Sequence, residues 1–388
     1  MPSTRSNYDP VFKPSGRALL SYLRNTGQWD FKPLEITEES KEDKMKIRFL
    51  IIYFFIFLFF LKSSLFCIDK IRWKAQTIYT TEEVEAPFKR VVEKLKIISD
   101  KKINIRYYTS NSIVPNNEIW AGVKSGNLDV AFSSPSANSL KQPSLFIFSG
   151  IPFGPELTEF RVWMAYGGGQ KIKDRIYKNN GLHAIDCMVI PPETGGWFKK
   201  KINNTKDLKN INMRIFGYGS KIMQHFGVTP KSISGMDITN EFKKGHIDAA
   251  EFSLPKWDLF VGINQYAKYS YFPGWIQPST FSEMVINKNK WDSISESTQT
   301  LIETVCESNL IWSNTYYNSI QPEAMEELKK QGTIFMNWKD SDLKQFKQVW
   351  IKIAEDESRK DPMFAEVYQS YKKFRKKYAI WGSRAYLR

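Results

Sequence analysis

Pro191 to Gly217 reads PPETGGWFKKKINNTKDLKNINMRIFG, and the charge near its end decides what kind of fold holds it. Arg214 stands between Met213 and Ile215 in a short apolar run, the setting of a strand that turns one side chain inward. A buried guanidinium needs an anion, and its planar fork of donors matches a carboxylate at two points. Two readings are open: an Asp or Glu of the same chain answers it, or a bound acid does. Gly195 and Gly196 beside Trp197 would admit a ligand close to the backbone, with the indole as one wall.

Upstream, Ile71 to Tyr79 reads as a strand, and Val84, Phe88, Val91, Val92, Leu95 and Ile98 recur at helical spacing. Ile103 to Tyr108 gives a second strand, Ile119 to Lys124 a short helix and Leu128 to Phe132 a third strand. This alternation predicts an α/β fold with a parallel sheet. Gly126-Asn127-Leu128-Asp129-Val130-Ala131 recurs as Gly245-His246-Ile247-Asp248-Ala249-Ala250, with Lys124 two residues before the first copy and Lys244 directly before the second. Glycine suits the left-handed end of a helix and the small residues suit entry into a crowded sheet, so the repeat points to two pseudo-equivalent lobes. His183 to Ile190 reads as a strand crossing between them, Thr205 as an N-cap, and the chain from Ser293 onward as almost wholly helical.

Composition narrows the function. The 388 residues predict about two domains. A balance of 56 basic against 41 acidic residues leaves +15, but the lysines are spread along amphipathic segments with no nucleic-acid-binding motif, so no nucleic-acid partner is expected. The glycines at 167 to 169 lack the strand and the Lys-Ser or Lys-Thr of a phosphate loop and read as close packing or a bend. The three histidines are too scattered for a zinc site. Cys187 and Cys306 could pair in an exported protein, yet nothing in the sequence brings them together; the expectation is two buried thiols.

Residues 1–44 are polar, without a sustained apolar period, and read as a disordered extension or an upstream start. Met45 opens a second beginning: a basic Met-Lys-Ile-Arg, an apolar run from Phe49 to Leu61, and a short polar exit to Cys67. That is the pattern of an export signal over 45–67 and implies the periplasm. Leu65-Phe66-Cys67 is a poor cleavage site, so cleavage and anchoring both stay open.

Glu251 ends the small apolar run from Ile247 and needs a cation or a donor. Gln277, in the rigid Pro273-Gly274-Trp275-Ile276-Gln277-Pro278 loop, offers a second oxygen of the kind hard cations take. A Glu251–Arg214 ion pair alone is the competing reading.

The motifs IPFGPELTEFR, Tyr166-Gly167-Gly168-Gly169, ETGGWF, DLKNINMRI, GVTP, GHIDAAE, AKYSYFPGW and DPMFAEVYQSYKKFRKKY, in this order, closely resemble the extracytoplasmic solute-binding subunits of TRAP transporters. Within these, the chain is most similar to the branch that binds 2-oxo and 2-hydroxy monocarboxylic acids with a metal cation. The resemblance implies a two-lobed periplasmic binding-protein fold: 68–191 with 280–319 as lobe I, 192–279 as lobe II, and 320–388 as helices that brace the lobes and build a homodimer. It implies that Arg214 grips the carboxylate of a small organic acid. Glu251, Gln277 and the backbone oxygen of Phe252 would hold sodium or calcium, Glu193 would hydrogen-bond the bound acid, and a TRAP membrane permease would receive it. Phe252 stands where relatives carry Trp, and Ser133 to Asn138 reads SSPSAN where relatives carry paired aromatics. A metal-assisted lyase or hydrolase with Glu251 as base is the alternative; no nucleophile elbow, Ser–His pairing or paired-carboxylate motif supports it.

Overall fold

The computed structural model describes residues 46, 48–54 and 68–385. The expected extension 1–44 and the rest of the expected export signal, Cys67 included, lie outside the described residues. Residues 48–54 are helical with exposed side chains, and among the described residues no helix is long and apolar enough to cross a membrane. Contacts divide the chain into Met1–Leu65 and Phe66–Arg388. The three clusters of buried apolar side chains all lie within the second unit, which is self-contained.

In the first lobe, alternation makes the strands and helical spacing makes the connections. Strand β1 (Ile71–Thr77) turns Ile71, Trp73 and Ala75 inward while Arg72 and Lys74 face water. Helix α1 (Glu82–Ile98) buries Phe88, Val91 and Leu95 and opens with Glu82, Glu83 and Glu85, charges that suit the positive end of a helix. There follow β2 (Ile103–Tyr108), α2 (Ile119–Ser125), β3 (Val130–Ser133), α3 (Leu145–Ser149), α4 (Leu157–Tyr166), α5 (Gly169–Asn179) and β4 (Leu182–Ile190). The second lobe holds β5 (Trp197–Phe198), β6 (Asn212–Arg214), α6 (Gly217–His225), β7 (Thr229–Lys231), α7 (Ile238–Lys243), β8 (Ala249–Ala250), α8 (Pro255–Val261) and β9 (Tyr269–Phe272). Strand β10 (Thr280–Asn287) returns to the first lobe. It leads through α9 (Lys288–Asp292), α10 (Glu296–Ser319), α11 (Gln321–Lys330) and β11 (Ile334–Asn337) to α12 (Asp340–Lys360) and α13 (Pro362–Gly382).

The sheets run β2-β1-β3-β10-β4 and β11-β9-β5-β8-β6-β7. Neither is wholly parallel, which corrects the expectation. β10 runs antiparallel to β3 and β4, and β5 antiparallel to β8 and β9. Both odd strands enter straight from a crossing between lobes, without the helical return that makes neighbours parallel. β11 also places a strand of the second sheet inside a segment expected to be helical. In the second lobe, Asn204 rather than the expected Thr205 caps a single 3-10 turn at Thr205–Leu208, accepting from Lys206 N at 3.0 Å.

The repeated hexapeptide does the same work in both lobes. Gly126 and Gly245 take φ of 82° and 73° where a helix ends. Asp129 Oδ2 accepts from Lys74 N at 2.6 Å while Asp129 N donates to Lys74 O at 3.0 Å. Asp248 Oδ2 likewise accepts from Asn212 N at 3.1 Å, and Asp248 N donates to Asn212 O at 2.7 Å. Each aspartate thus fixes the register of β1 or β6 against its neighbour. The Gly167–Gly169 triplet is close packing as expected: a Cβ on Gly167 would stand 2.8 Å from both Phe374 and Trp163.

The tail joins both lobes. α12 packs on α13 and on α6 of the second lobe, and α13 packs on α4 and α5 of the first. Arg375 fixes that contact, donating to Glu159 Oε1 at 2.8 Å, to Gly154 O at 3.2 Å and to Phe153 O.

Cys187 and Cys306 form a disulfide, which corrects the expectation of two thiols. α10 lies along β4: Asn309 Nδ2 donates to Cys187 O at 2.7 Å and Ser313 Oγ accepts from Val189 N at 3.0 Å. Packing across 119 residues of sequence made the pairing invisible from spacing. A bridge closing so long a loop stabilises by about 4–5 kcal/mol on the loop-entropy account. Thermal unfolding with and without reductant, and of Cys187→Ser/Cys306→Ser, should show a clear drop in midpoint; superimposable melts would refute the bridge.

Candidate functional site

The strand ends assemble the site. Arg214 is the last residue of β6, and Glu251 follows β8, its parallel neighbour; Glu251 N donates to Arg214 O at 2.9 Å. Both side chains therefore leave the carboxyl end of the second sheet, where open α/β folds take ligands. Arg214 is 6% exposed. Its Nε donates to Ile233 O at 3.1 Å, and its Nη1 donates to the backbone oxygen of Glu251 and stands 3.6 Å from Glu251 Oε2. Phe216 and Phe252 lie against the guanidinium at 4.3 and 5.2 Å, while Nη2 has no hydrogen-bond partner among the described residues. Burial lowers its pKa, opposed by Glu251 and Glu193; an arginine keeps its charge regardless.

Glu251 therefore answers Arg214 only in part, at a distance beyond a hydrogen bond. Its other neighbour is Glu193, 6% exposed, whose Oε2 is buried without a partner. Burial drives the Glu193 pKa well above the ordinary range, with Glu251 raising it further through charge and a shared hydrogen bond. Burial raises Glu251 also, with Arg214 opposing. Two facing buried carboxyls cannot both ionise alone; they hold a proton between them or a cation satisfies them. The orphaned Glu193 oxygen and the oxygen-only donor set fit a hard cation.

Backbone contact locks this pair in place. A Cβ on Gly274 would fall 2.0 Å from Glu193 O, and one on Gly195 would fall 2.7 Å from Pro273 O. The two loops meet main chain to main chain, which only glycine permits. Asp258, at the third position of α8 past Pro255, ties them to the Glu251 segment. Its Oδ2 accepts from Trp197 Nε1 at 2.6 Å and Thr194 Oγ1 at 3.1 Å, and its Oδ1 from Ser253 N at 3.1 Å.

The structure brings Arg214, Glu193, Glu251 and Phe252 together. Trp197 is fully buried with its nitrogen on Asp258, so it holds the loop from within the core instead of presenting an exposed wall. Gln277 makes no hydrogen bond to the three charged groups among the described residues: its Nε2 donates to Thr280 Oγ1 at 3.1 Å at the start of β10, and its Oε1 is unpartnered there. From the first lobe, Tyr79 hydrogen-bonds Ser282 Oγ at 2.5 Å and feels the charge of Glu193. Ser133 Oγ and Asn138 Nδ2 are buried without partners. Sequence reasoning missed Tyr79 and Asp258; an aspartate between Trp257 and Leu259 was the available signal for the second. A separate recess of about 360 Å³, lined by Asp174, His183, Asp186 and Glu303 among others, lies away from these residues. Among the described residues, no cluster of three or more His, Cys, Asp or Glu side chains is placed to hold a metal ion.

Two α/β lobes with a charged pair at the strand ends define a ligand receptor. The chain belongs to the bacterial extracellular solute-binding proteins, family 7, whose model matches residues 75–360. It is 28% identical over 321 residues to the monocarboxylate 2-oxoacid-binding periplasmic protein of Nostoc sp., covering 81% of this chain and 87% of that one. A TRAP transporter solute-binding protein from Bordetella bronchiseptica, a dimer with copurified calcium and picolinate, superposes with TM-score 0.75 at 26% identity over 81% of this chain and 94% of that one. One from Colwellia psychrerythraea with bound calcium and pyruvate superposes with TM-score 0.75 at 25% identity over 81% and 96%. The chain is thus a TRAP solute-binding protein and not an enzyme, and the lyase reading is set aside.

Asp258 yields a pH prediction. Burial, outweighing its three donors, pushes its pKa from 3.8 up to about 8. The native state then holds a proton that the unfolded chain releases, so this stabilisation is complete below the unfolded value and is lost as pH rises through about 8. Melting without added acid or cation should show the midpoint falling from about pH 5 to about pH 8, with a shallower slope in Asp258→Asn; parallel slopes would refute it.

Proposed function

We propose that this receptor captures a 2-oxo or 2-hydroxy monocarboxylate together with sodium or calcium and delivers it to a TRAP membrane permease. The observation that carries the reading is the unsatisfied charge at one spot: Arg214 with an open Nη2, beside the buried carboxyls Glu251 and Glu193, the second with an oxygen that lacks a partner. The guanidinium edge takes the acid's carboxylate. Glu251, Gln277 and the backbone oxygen of Phe252 supply oxygen donors to the cation, which would neutralise the carboxyls in place of the proton. Glu193 hydrogen-bonds the acid, and Asp258 through Trp197 keeps the Glu193 loop in register. The relatives from Nostoc, Bordetella and Colwellia, with 2-oxoacid, picolinate and pyruvate in their names, support this ligand class.

The lobes would close on the loaded site by a hinge motion between domains. Export through a signal beginning at Met45 places the receptor in the periplasm. A homodimer built on the helical tail completes the reading.

Thermal unfolding of residues 68–388 against a panel of monocarboxylic acids, with and without sodium or calcium, is the test. A ligand at about a hundred times its dissociation constant stabilises by roughly 2.7 kcal/mol. One acid should do so only with a cation. Arg214→Ala should abolish the shift, and Glu251→Gln should remove its cation dependence. If no acid acts while Arg214→Ala destabilises the protein unaided, the arginine is a structural partner of Glu251 and the reading fails.

A further inference from the structure

The two rings on Arg214 are held very differently. Phe252 packs against two of the apolar clusters, and a Cβ on Gly235 would stand 2.3 Å from one of its ring carbons. Phe216 joins none of the three clusters among the described residues and is 43% exposed. It occupies the N-cap of α6 without a side-chain hydrogen bond to the helix, a position that an oxygen-bearing residue would serve better. Neither core packing nor capping accounts for a phenylalanine here. What the ring does touch is the guanidinium, whose carbon lies 4.3 Å from the ring centre, well inside the range of a cation–π contact.

That contact places the ring at the carboxyl end of the second sheet, inside the site. Arg214 is 6% exposed and Phe216 43%, so the ring reaches beyond the charge that it covers. The first lobe comes close beside it: a Cβ on Gly217 would stand 3.0 Å from the Phe146 ring on α3. Ser149 Oγ of the same helix meets Ser134 Oγ at 2.5 Å and Ser136 Oγ at 3.2 Å. The loop so anchored offers only small side chains there, Ser134, Pro135, Ser136 and Ala137, and the ring stays uncovered. We propose that Phe216 is a specificity-determining residue: its uncovered ring takes the apolar substituent of the bound acid, so that the receptor favours a longer or branched acid over pyruvate. This rests on the receptor reading, with Arg214 as the partner of the carboxylate. A carboxylate at the open Nη2 brings the acid's carbon chain alongside the ring, and each carbon added there removes apolar surface from water. Each should strengthen binding by about fourfold.

Titration calorimetry of residues 68–388 with pyruvate, 2-oxobutyrate and 3-methyl-2-oxobutanoate, in saturating calcium or sodium, tests this. Affinity should rise with every added carbon, by roughly sixteenfold across the series. Phe216→Ala should flatten the rise, and Phe216→Leu, apolar without being aromatic, should keep a good part of it. Both variants should melt near the parent, because the ring lies outside the core clusters. The proposal is overturned if the parent binds all three alike or pyruvate best, or if Phe216→Ala keeps the parent's slope. It is overturned too if Phe216→Ala melts like the parent and binds none of them, which would make the ring a support for the arginine. A parent that binds no acid at all would sink the receptor reading itself, and this inference with it.

Discussion

Everything in the second lobe is arranged around a buried charge that its own chain only half answers. A guanidinium 6% exposed would ordinarily be matched by a bidentate carboxylate. Here Glu251 stands 3.6 Å away and is itself pressed against Glu193. Such an arrangement is costly in isolation, and it persists because main-chain contact leaves it no room to relax. Gly274 against Glu193, Gly195 against Pro273, and Gly235 against the Phe252 ring, where a Cβ would fall 2.3 Å from a ring carbon, hold the loops too tightly for the carboxyls to part. The lobe stores an electrostatic demand that an acid and a cation together would meet.

The scaffold that carries this demand is built twice. In each lobe an aspartate after a left-handed glycine clamps the neighbouring strand, at Lys74 midway along β1 and at Asn212 where β6 begins, so that the strand's far end is delivered at a fixed height. In the second lobe that end is Arg214. In the first it is Tyr79, just past β1, with Ser282 beside it on the antiparallel strand. Two copies of one device therefore aim two sheets' carboxyl ends at the ligand site, and the chemistry differs only in what stands at the tip.

Much of this was legible in the sequence, and the remainder had physical reasons to be hidden. Periodicity located β1, α1, β2 and α2 because their apolar faces are regular, and the repeated Gly-x-x-Asp announced the lobes. Arg214 and Glu251 were readable because a charge in a small apolar run is an anomaly that requires an explanation. Antiparallel β5 and β10 were not, since strand direction depends on where the chain has been. The Cys187–Cys306 bridge and the Trp197–Asp258 bond depend on elements packed across long separations, and local pattern carries no trace of them. Trp197 shows the limit well: the sequence marks an aromatic beside two glycines, but only packing decides that its face turns to the core.

The tail has a consequence for how the molecule comes into being. β10 sits between β3 and β4, so the first sheet closes only after the whole second lobe has been made. β11, still later, completes the edge of the second sheet, and α13 returns to α4 and α5 near the chain's end. Neither lobe is a finished unit until almost the last residues arrive, and contacts of such long range form slowly. A chain wired this way acquires its stability only once nearly all of it is free to fold.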